Sequence, residues 1–236
     1  MSKLEKKLFR KVKRANLKYQ LITDHDRIAV GLSGGKDSLV LLHALQLLKE
    51  YTPLQFEFIA ITIDLGMGID YSSMAEYCSR QNIPLVIEPT NIGRVVFQER
   101  QEKNPCSLCA NLRHGALHRV AQKNNCNKVA LAHHLDDAVT TMLMSMAFEG
   151  QLRAFLPSAY LDRSNLTAIR PLIYVSEKTI YSLSCRLALP VTANPCPAAG
   201  QTKRAVVQSW LETLEDAYPG VKRRFLTSLE KIYWNQ

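Results

Sequence analysis

Long apolar runs are missing from this chain of 236 residues. No stretch approaches the roughly 18 consecutive apolar residues that indicate a transmembrane helix, and no apolar segment follows the basic amino terminus as it does in a secretory signal. Glycine and proline number only ten each, and apolar residues make up 47%, which excludes a disordered chain and a collagen-like repeat. These absences predict a cytosolic globular protein with no membrane partner.

Acidic residues are also few, since 21 Asp and Glu face 30 Lys and Arg and the net charge is +9. Residues 1–20 hold eight basic side chains and one acidic one, residues 201–236 hold six basic and four acidic, and the segment between them is neutral. Basic ends on a neutral body indicate a polyanionic partner, with nucleic acid favoured over membrane. A helix face that simply meets solvent is the alternative.

Strand and helix patterns alternate through most of the chain. Apolar runs rich in β-branched residues predict strands at residues 27–32, 56–64, 85–89 and 128–132, and helical patterns fall at residues 4–19, 39–50, 106–123, 133–148 and 176–187. This alternation predicts an α/β fold with a doubly wound parallel sheet. We expect a basic helix at residues 1–24, a nucleotide-binding domain at residues 25–190 and a C-terminal segment with two helices at residues 191–236.

A glycine loop follows the first predicted strand, with the sequence Ser33-Gly34-Gly35-Lys36-Asp37-Ser38. Two glycines let the backbone approach a phosphate closely, the following helix contributes N–H groups and its dipole, and Lys36 adds a positive charge. The spacing matches neither a Walker A loop nor the dinucleotide-binding pattern. The loop therefore predicts a phosphate site of another kind.

Six cysteines are present, and in a cytosolic chain they are expected to be buried thiols, metal ligands or catalytic groups rather than disulfides. Cys106 and Cys109 form a C-x-x-C pair, and Cys196 follows 87 residues later. The pair alone fits zinc, with His114 or His118 completing the site, or an iron–sulfur cluster. A thioredoxin-like role is excluded because the pair does not follow the first strand of a βαβ unit. The other three are interpreted as structural: Cys78, Cys126 and Cys185.

The segment Val30–Ser38 resembles the signature of the PP-loop ATP pyrophosphatases, which cleave ATP between its α and β phosphates. Ala132-His-His-Leu-Asp-Asp137 resembles a second element of the tRNA-modifying branch of that superfamily. We expect Asp136 to cap the following helix and Asp137 to lie nearer the nucleotide.

The order of these motifs along nearly the whole chain resembles the tRNA 2-thiocytidine synthetase family. In that family, three cysteines hold a [4Fe-4S] cluster with one iron left open, which implies Cys106, Cys109 and Cys196 as ligands here. The chain departs from the family pattern in having Ala132 before the two histidines, a histidine after Arg113, and a single distal thiol.

The resemblance implies an ATP-, Mg²⁺- and [4Fe-4S]-dependent tRNA sulfurtransferase. The cytidine C2 oxygen would be adenylated, and sulfide held on the open iron would displace AMP. Lys36 and Asp37 are the expected catalytic residues, with Arg113 bridging the cluster and nucleotide sites. The full set expected to bind ATP is Gly31, Leu32, Ser33, Gly34, Gly35, Lys36, Asp37, Ser38, Ile63, Arg113, Ala132 and Asp137.

Its expected partners are tRNA and a sulfur donor, either cysteine desulfurase-derived sulfur or inorganic sulfide, and a homodimer is expected. Two alternatives stay open at this stage. One is a PP-loop thiolase acting on another nucleoside or on a small molecule, and the other is a zinc-containing nucleic-acid-binding module without catalysis.

Overall fold

The computed structural model describes residues 1–100, 105–192 and 203–234. Within these ranges, no helix has both the length and the apolar character needed to cross a membrane. The strands are β1 (Arg27–Gly31), β2 (Glu57–Asp64), β3 (Leu85–Pro89), β4 (Lys128–Ala130), β5 (Ser158–Leu161) and β6 (Leu166–Ile169). The helices are α1 (Lys3–Tyr19), α2 (Lys36–Tyr51), α3 (Ser72–Arg80), α4 (Ile92–Arg94, continued by a π-helical turn at Val95–Glu99), α5 (Pro105–Lys123), α6 (Leu135–Glu149), α7 (Glu177–Arg186), α8 (Lys203–Ala217) and α9 (Val221–Leu229, followed by a π-helical turn at Glu230–Trp234).

The six strands form one sheet in the order β3-β2-β1-β4-β6-β5. All neighbouring pairs are parallel except β5 and β6. The chain moves from β1 towards β3 on one side and from β4 towards β5 on the other, so the strand order reverses between β1 and β4. In open α/β sheets, ligands bind at the carboxyl ends of the strands beside such a reversal. The topology therefore points to the segments that follow β1 and β4.

The apolar core lies on both faces of this sheet. The inner residues of β1 (Ile28, Ala29 and Val30) are fully buried, and nine residues of α2 are buried against them. A strand that is covered on both faces has a continuous apolar run in its sequence rather than an alternating pattern. For this reason β1 and β2 could be predicted from the sequence.

The basic helix α1 packs on the same core rather than standing apart from it. Leu8, Val12 and Ala15 are fully buried in the main apolar cluster. Ser2 and Glu5 form a reciprocal capping box at its start, a device that satisfies two free backbone N–H groups. The basic side chains of α1 therefore lie on the face that the core leaves uncovered.

The carboxylate of Glu230 joins the two ends of the described chain. It lies 2.8 Å from the Lys18 ammonium and accepts hydrogen bonds from the hydroxyls of Tyr19 and Tyr174. Burial opposes ionisation of Glu230, but these donors together lower its pKa. Because Glu230 is almost fully buried, this cluster holds the C-terminal helices against α1.

The predicted doubly wound α/β fold is confirmed, with three differences in detail. Strands β5 and β6 were not predicted, because each has only four residues and the edge strand β5 leaves Tyr160 exposed. Strand β4 ends at Ala130 rather than at residue 132, since it pairs with its two neighbours over only three residues. Helix α2 begins at Lys36, so the end of the glycine loop is already helical. The predicted division into three segments, with boundaries after residues 24 and 190, remains a prediction.

Candidate active site

A cavity of about 410 Å³ lies at the carboxyl ends of β1, β2 and β4. This volume lies within the range of small-molecule sites. Four segments form its walls: the loop after β1, the end of β2 with the residues that follow it, one side of α5, and the segment after β4. The residues on its walls are Gly31, Leu32, Ser33, Gly35, Asp37, Ser38, Ile61, Ile63, Leu65, Ile69, Tyr71, Ala110, Arg113, His114, Leu117, Leu131, Ala132, His133, Asp137 and Thr192.

The glycine loop is fixed by its own serines. The hydroxyl of Ser38 accepts a hydrogen bond from the backbone N–H of Ser33 at 3.2 Å and donates one to the carbonyl of Gly35 at 2.9 Å. Gly34 has a left-handed backbone (φ +81°), and its carbonyl accepts a hydrogen bond from the N–H of Thr192 at 2.9 Å. These bonds hold the first turn of the 16-residue helix α2 against the cavity, where its N–H groups favour an anion.

Asp37 contributes a carboxylate to the cavity wall. Its Oδ1 atom is buried and accepts no hydrogen bond within the described residues, although it lies 3.3 Å from the Lys36 ammonium and 3.8 Å from Nε2 of His134. A buried carboxylate oxygen without a hydrogen-bond donor is costly unless a ligand satisfies it. Carboxylate oxygens are preferred ligands of Mg²⁺ in nucleotide sites, so this atom fits the magnesium ion of a Mg²⁺–ATP complex.

The side chain of Lys36 does not line the cavity, although it donates a hydrogen bond to Oδ2 of Asp37 at 3.4 Å. Its ammonium lies 3.0 Å from Oε1 of Glu177, at the start of α7. Burial favours the neutral amine, but the hydrogen bond with Glu177 and the charge of Asp37 outweigh it and raise the pKa of Lys36. The side chain is therefore a cation held beside the loop by an acidic partner that sequence reasoning did not identify.

His133 lies on the cavity wall after β4 and is oriented from behind by Arg170. The guanidinium Nε of Arg170 donates to Nδ1 of His133 at 3.3 Å, and both side chains contact the Phe155 ring. Burial and the positive charge of Arg170 lower the pKa of His133. Because arginine can only donate, the proton of the neutral ring lies on Nε2. His133 is thus a neutral hydrogen-bond donor rather than a base.

The two aspartates after β4 have different surroundings. Asp136 is buried behind the cavity, where its carboxylate accepts from the N–H of Glu177 at 2.8 Å and from Lys222 at 2.9 Å. Asp137 lies on the cavity wall and pairs with Arg204. The prediction that Asp136 caps α6 is wrong, because the cap residue is His134, whose N–H donates to the Asp137 carboxylate at 3.0 Å. The carboxylate of Asp136 instead bonds to residues of α7 and α9.

The remaining wall is apolar and was mostly missed from the sequence. Ile63 was expected beside the nucleotide, and it lies there together with Ile61, Leu65, Ile69 and Leu117. Such a surface suits the flat face of a purine base. These residues come from β2, the loop after it and α5, so no short motif contains them and only the folded sheet brings them together.

Helix α5 carries the cysteine pair and part of the cavity wall on neighbouring turns. Cys106 is exposed and Cys109 half-buried in the first turns, where Cys109 packs against the cluster of Ile92 and Val96. Arg113 follows Cys109 by four residues and reaches the cavity. Two thiols three residues apart lie on one face of a helix, which fits two ligands of a cluster, and a helix N-terminus favours thiolates.

The third proposed ligand, Cys196, lies outside the described residues, four positions after Thr192. Within the described ranges, no three His, Cys, Asp or Glu side chains are grouped so that they could hold a metal ion. His114 and His118, the zinc ligands of the alternative interpretation, stack on each other with ring centroids 6.2 Å apart. Burial lowers the pKa of both.

Of the other cysteines, Cys78 and Cys126 are buried, whereas Cys185 is exposed and so takes no part in the core.

A family model described as a PP-loop domain matches residues 4–207. This chain belongs to the PP-loop family. It is 38% identical over 240 residues to the tRNA-cytidine(32) 2-sulfurtransferase of Geotalea uraniireducens (98% of this chain and 95% of that protein). It is 39% identical over 231 residues to the enzyme of the same name from Geobacter sulfurreducens (96% and 90%). Similarity of this extent places the chain in the family of these sulfurtransferases.

Solved structures agree with this assignment. The U34-tRNA thiolase NcsA from Methanococcus maripaludis, solved with its [4Fe-4S] cluster, matches with a TM-score of 0.77 and 26% identity over 97% of this chain and 78% of that chain. An NH3-dependent NAD synthetase from Campylobacter jejuni matches with a TM-score of 0.53 and 17% identity over 98% and 95% of the two chains. The second match shows the shared fold alone.

The PP-loop of this chain and its partner segments gather most of the predicted ATP residues in one place. Ten of the twelve line the cavity, and Gly34 and Lys36 are the two that do not. Gly34 lies behind the loop against Thr192, where an added Cβ would come within 3.1 Å of that side chain. The binding and catalytic roles of all twelve remain predictions.

Proposed function

We propose that this protein is an ATP-dependent tRNA sulfurtransferase that replaces the C2 oxygen of cytidine 32 with sulfur. The observation that carries the proposal is that α5 bears a cysteine pair at its start and a wall of the PP-loop cavity one turn later. Relatives named tRNA-cytidine(32) 2-sulfurtransferase over the full length support the choice of nucleoside.

ATP would bind with its phosphates on the N–H groups of the PP-loop and its base against the apolar wall around Ile63. Asp37 would hold Mg²⁺ through its unsatisfied Oδ1 atom. Lys36, beside the loop, would neutralise phosphate charge once its side chain turns from Glu177. Most of the catalysis of phosphoryl-type transfer comes from such positioning and charge neutralisation.

The cytosine C2 oxygen would attack the α-phosphorus of ATP, forming an O–P bond as pyrophosphate leaves with the electrons of the broken P–O bond. Hydrosulfide would then add at C2, and the C2–O bond would break with AMP as the leaving group. One proton is released, and 2-thiocytidine remains. His133, as a neutral donor on the cavity wall, would hydrogen-bond to a phosphate oxygen without taking up a proton.

Cys106, Cys109 and Cys196 would hold a [4Fe-4S] cluster, and when bound the cluster would supply an iron that three thiolates leave open to the sulfur donor. Arg113 would lie between the two sites, because it follows Cys109 by one turn and reaches the cavity. The donor itself would be cysteine desulfurase-derived sulfur or inorganic sulfide. We further propose that the protein acts in the cytoplasm as a homodimer.

The test is nucleoside mass analysis of an unmodified tRNA transcript with cytidine at position 32, incubated with the anaerobically reconstituted protein, ATP and sulfide. We expect 2-thiocytidine at position 32, and none without ATP. A matched transcript with uridine at position 32 serves as the control. Thiolation of uridine 34 instead, the activity named for the structural neighbour, would contradict the proposed substrate.

A further inference from the structure

A second cleft, of about 520 Å³, lies between α1 and α9 and is separate from the nucleotide cavity. Its walls carry five cationic side chains and one carboxylate. The lining residues are Lys7, Arg10, Lys11, Arg14, Leu135, Tyr174, Arg223, Leu226, Thr227 and Glu230. Cations therefore converge on this cleft from two helices that are far apart in the sequence.

The positive charge of the cleft is largely unneutralised. Glu230 is already engaged by Lys18 and two tyrosine hydroxyls, and Arg14 lies 3.8 Å from it while stacking over the Tyr174 ring at 4.4 Å. In the described part of the chain, no carboxylate lies within ion-pair distance of Lys7, Lys11 or Arg223. Three cations that have no ion-pair partner among the described residues thus face one opening.

Lys11 is the most buried of the three. It is half-buried on the wall of the cleft, and burial together with the charges of Lys7 and Arg223 lowers its pKa, although the carboxylate of Asp136 opposes this shift. Like charges held close in a partly desolvated cleft repel one another. An anion in the cleft would relieve this repulsion.

The cleft continues into a groove on the outer face of α1. That groove, of about 450 Å³, is lined by Arg10, Lys13, Arg14, Leu17 and Lys18, so it shares Arg10 and Arg14 with the cleft. Together the two form a basic track along α1. A track of this kind matches a chain of phosphates better than a single small anion.

The cleft also borders the nucleotide cavity. Leu135 lines the cleft, whereas its near neighbours His133 and Asp137 line the cavity. Only the first turn of α6 separates the two sites, so a nucleic acid strand in the cleft would pass close to the reacting phosphates.

We propose that the cleft between α1 and α9 binds consecutive backbone phosphates of the substrate tRNA. This inference rests on the proposed function and adds to it the surface that holds the RNA. Phosphate contacts of this type position a substrate without reading its sequence.

The test compares two triple variants that remove the same charge. The cleft variant carries Lys7→Gln, Lys11→Gln and Arg223→Gln, and the control carries Lys49→Gln, Lys123→Gln and Arg186→Gln. The three control residues are exposed and lie near the C-terminal ends of helices α2, α5 and α7, and none of them lines the cleft or the cavity. Lys18 is left intact in both because it pairs with Glu230.

Affinity for the tRNA transcript is measured over a range of salt concentrations, with thermal unfolding as the check on folding. We expect the cleft variant to bind about tenfold or more weakly, with a log–log salt slope lower by roughly 2–3, and unchanged ATP affinity. The control should bind as the parent does.

Equal tRNA affinity and salt slope in the folded cleft and control variants would overturn the inference. Displacement of the transcript from the parent protein by inorganic phosphate, at equal phosphate concentration, would also overturn it. A cleft variant that loses binding to phosphatidylserine vesicles but keeps its affinity for tRNA would overturn it as well. If the parent thiolates tRNA and the cleft variant binds it normally, only the cleft assignment fails. A parent that neither binds nor thiolates tRNA contradicts the proposed function itself.

Discussion

The PP-loop wall and the α5 wall of the nucleotide cavity are built from different parts of the chain. The loop wall, residues 31–38, presents backbone N–H groups that the hydroxyls of Ser33 and Ser38 hold in place. The α5 wall presents the side chains of Ala110, Arg113, His114 and Leu117. The first wall suits a phosphate, and the second belongs to the helix that also carries the cysteine pair. Substitutions in the loop wall and in the α5 wall should therefore impair different steps.

The largest effect is expected from Cys106→Ser, which removes an exposed thiol at the start of α5. Iron content should fall to near zero and tRNA thiolation should be lost, because two thiolates do not retain the cluster. Cys185→Ser is the matched control, since Cys185 is also exposed but lies on α7. A Cys106→Ser protein that keeps its full iron content would remove this residue from the proposed ligands.

On the loop wall, Asp37→Asn should lower tRNA-dependent pyrophosphate release by about 10²–10³-fold, the usual cost of losing one group that stabilises charge in a transition state. Iron content should not change. Asp162→Asn, at an exposed position in the β5–β6 turn, is the control. Unchanged pyrophosphate release by Asp37→Asn would show that the Mg²⁺ site lies elsewhere.

Gly34→Ala tests whether the backbone conformation of the PP-loop is what binds ATP at the loop wall. Gly34 and Gly68 both have a left-handed backbone, with φ of +81° and +72°, but an added Cβ meets Thr192 at Gly34 and nothing within 4 Å at Gly68. Either substitution should cost roughly 1–2 kcal/mol of stability, or about 3–6 °C in Tm. Only Gly34→Ala should also weaken ATP binding, by about tenfold. Equal ATP affinity in the two variants would contradict a backbone-built site.

The smallest effect concerns the two histidines after β4, whose pKa values should be shifted in opposite directions from that of a free histidine. Burial and Arg170 lower the pKa of His133, whereas burial of His134 is outweighed by Asp136, Asp137 and Asp37, which raise its pKa. Folding stability from His133 should decline as the pH falls below about 6.5, and stability from His134 should decline as the pH rises through its raised pKa.

NMR titration of the imidazole protons measures both values. Arg170→Gln should move the pKa of His133 upwards and leave that of His134 nearly unchanged. Two overlapping titrations near pH 6.5 in the parent would contradict both the lowered pKa of His133 and the raised pKa of His134.

The same contrast explains what could be predicted from the sequence. The loop wall could be predicted because a backbone-built phosphate site requires glycines and serines at fixed, consecutive positions, and ten of the twelve expected residues lie on the cavity. The partners of Lys36 and Asp136 could not, because Glu177 and Lys222 come from helices that reach the site only in the folded chain. The α5 wall was predicted only at Arg113, since helical spacing alone does not show which face meets a cavity.

The most direct test of the separation between the two walls is tRNA-dependent pyrophosphate release by Cys106→Ser, measured beside its iron content and ATP affinity. The account predicts a protein without its cluster that binds ATP as tightly as the parent and still releases pyrophosphate with tRNA, but forms no thiolated nucleoside. Loss of ATP binding or of pyrophosphate release together with the iron, in a protein that remains folded, would show that the cysteine pair and the PP-loop form a single inseparable site.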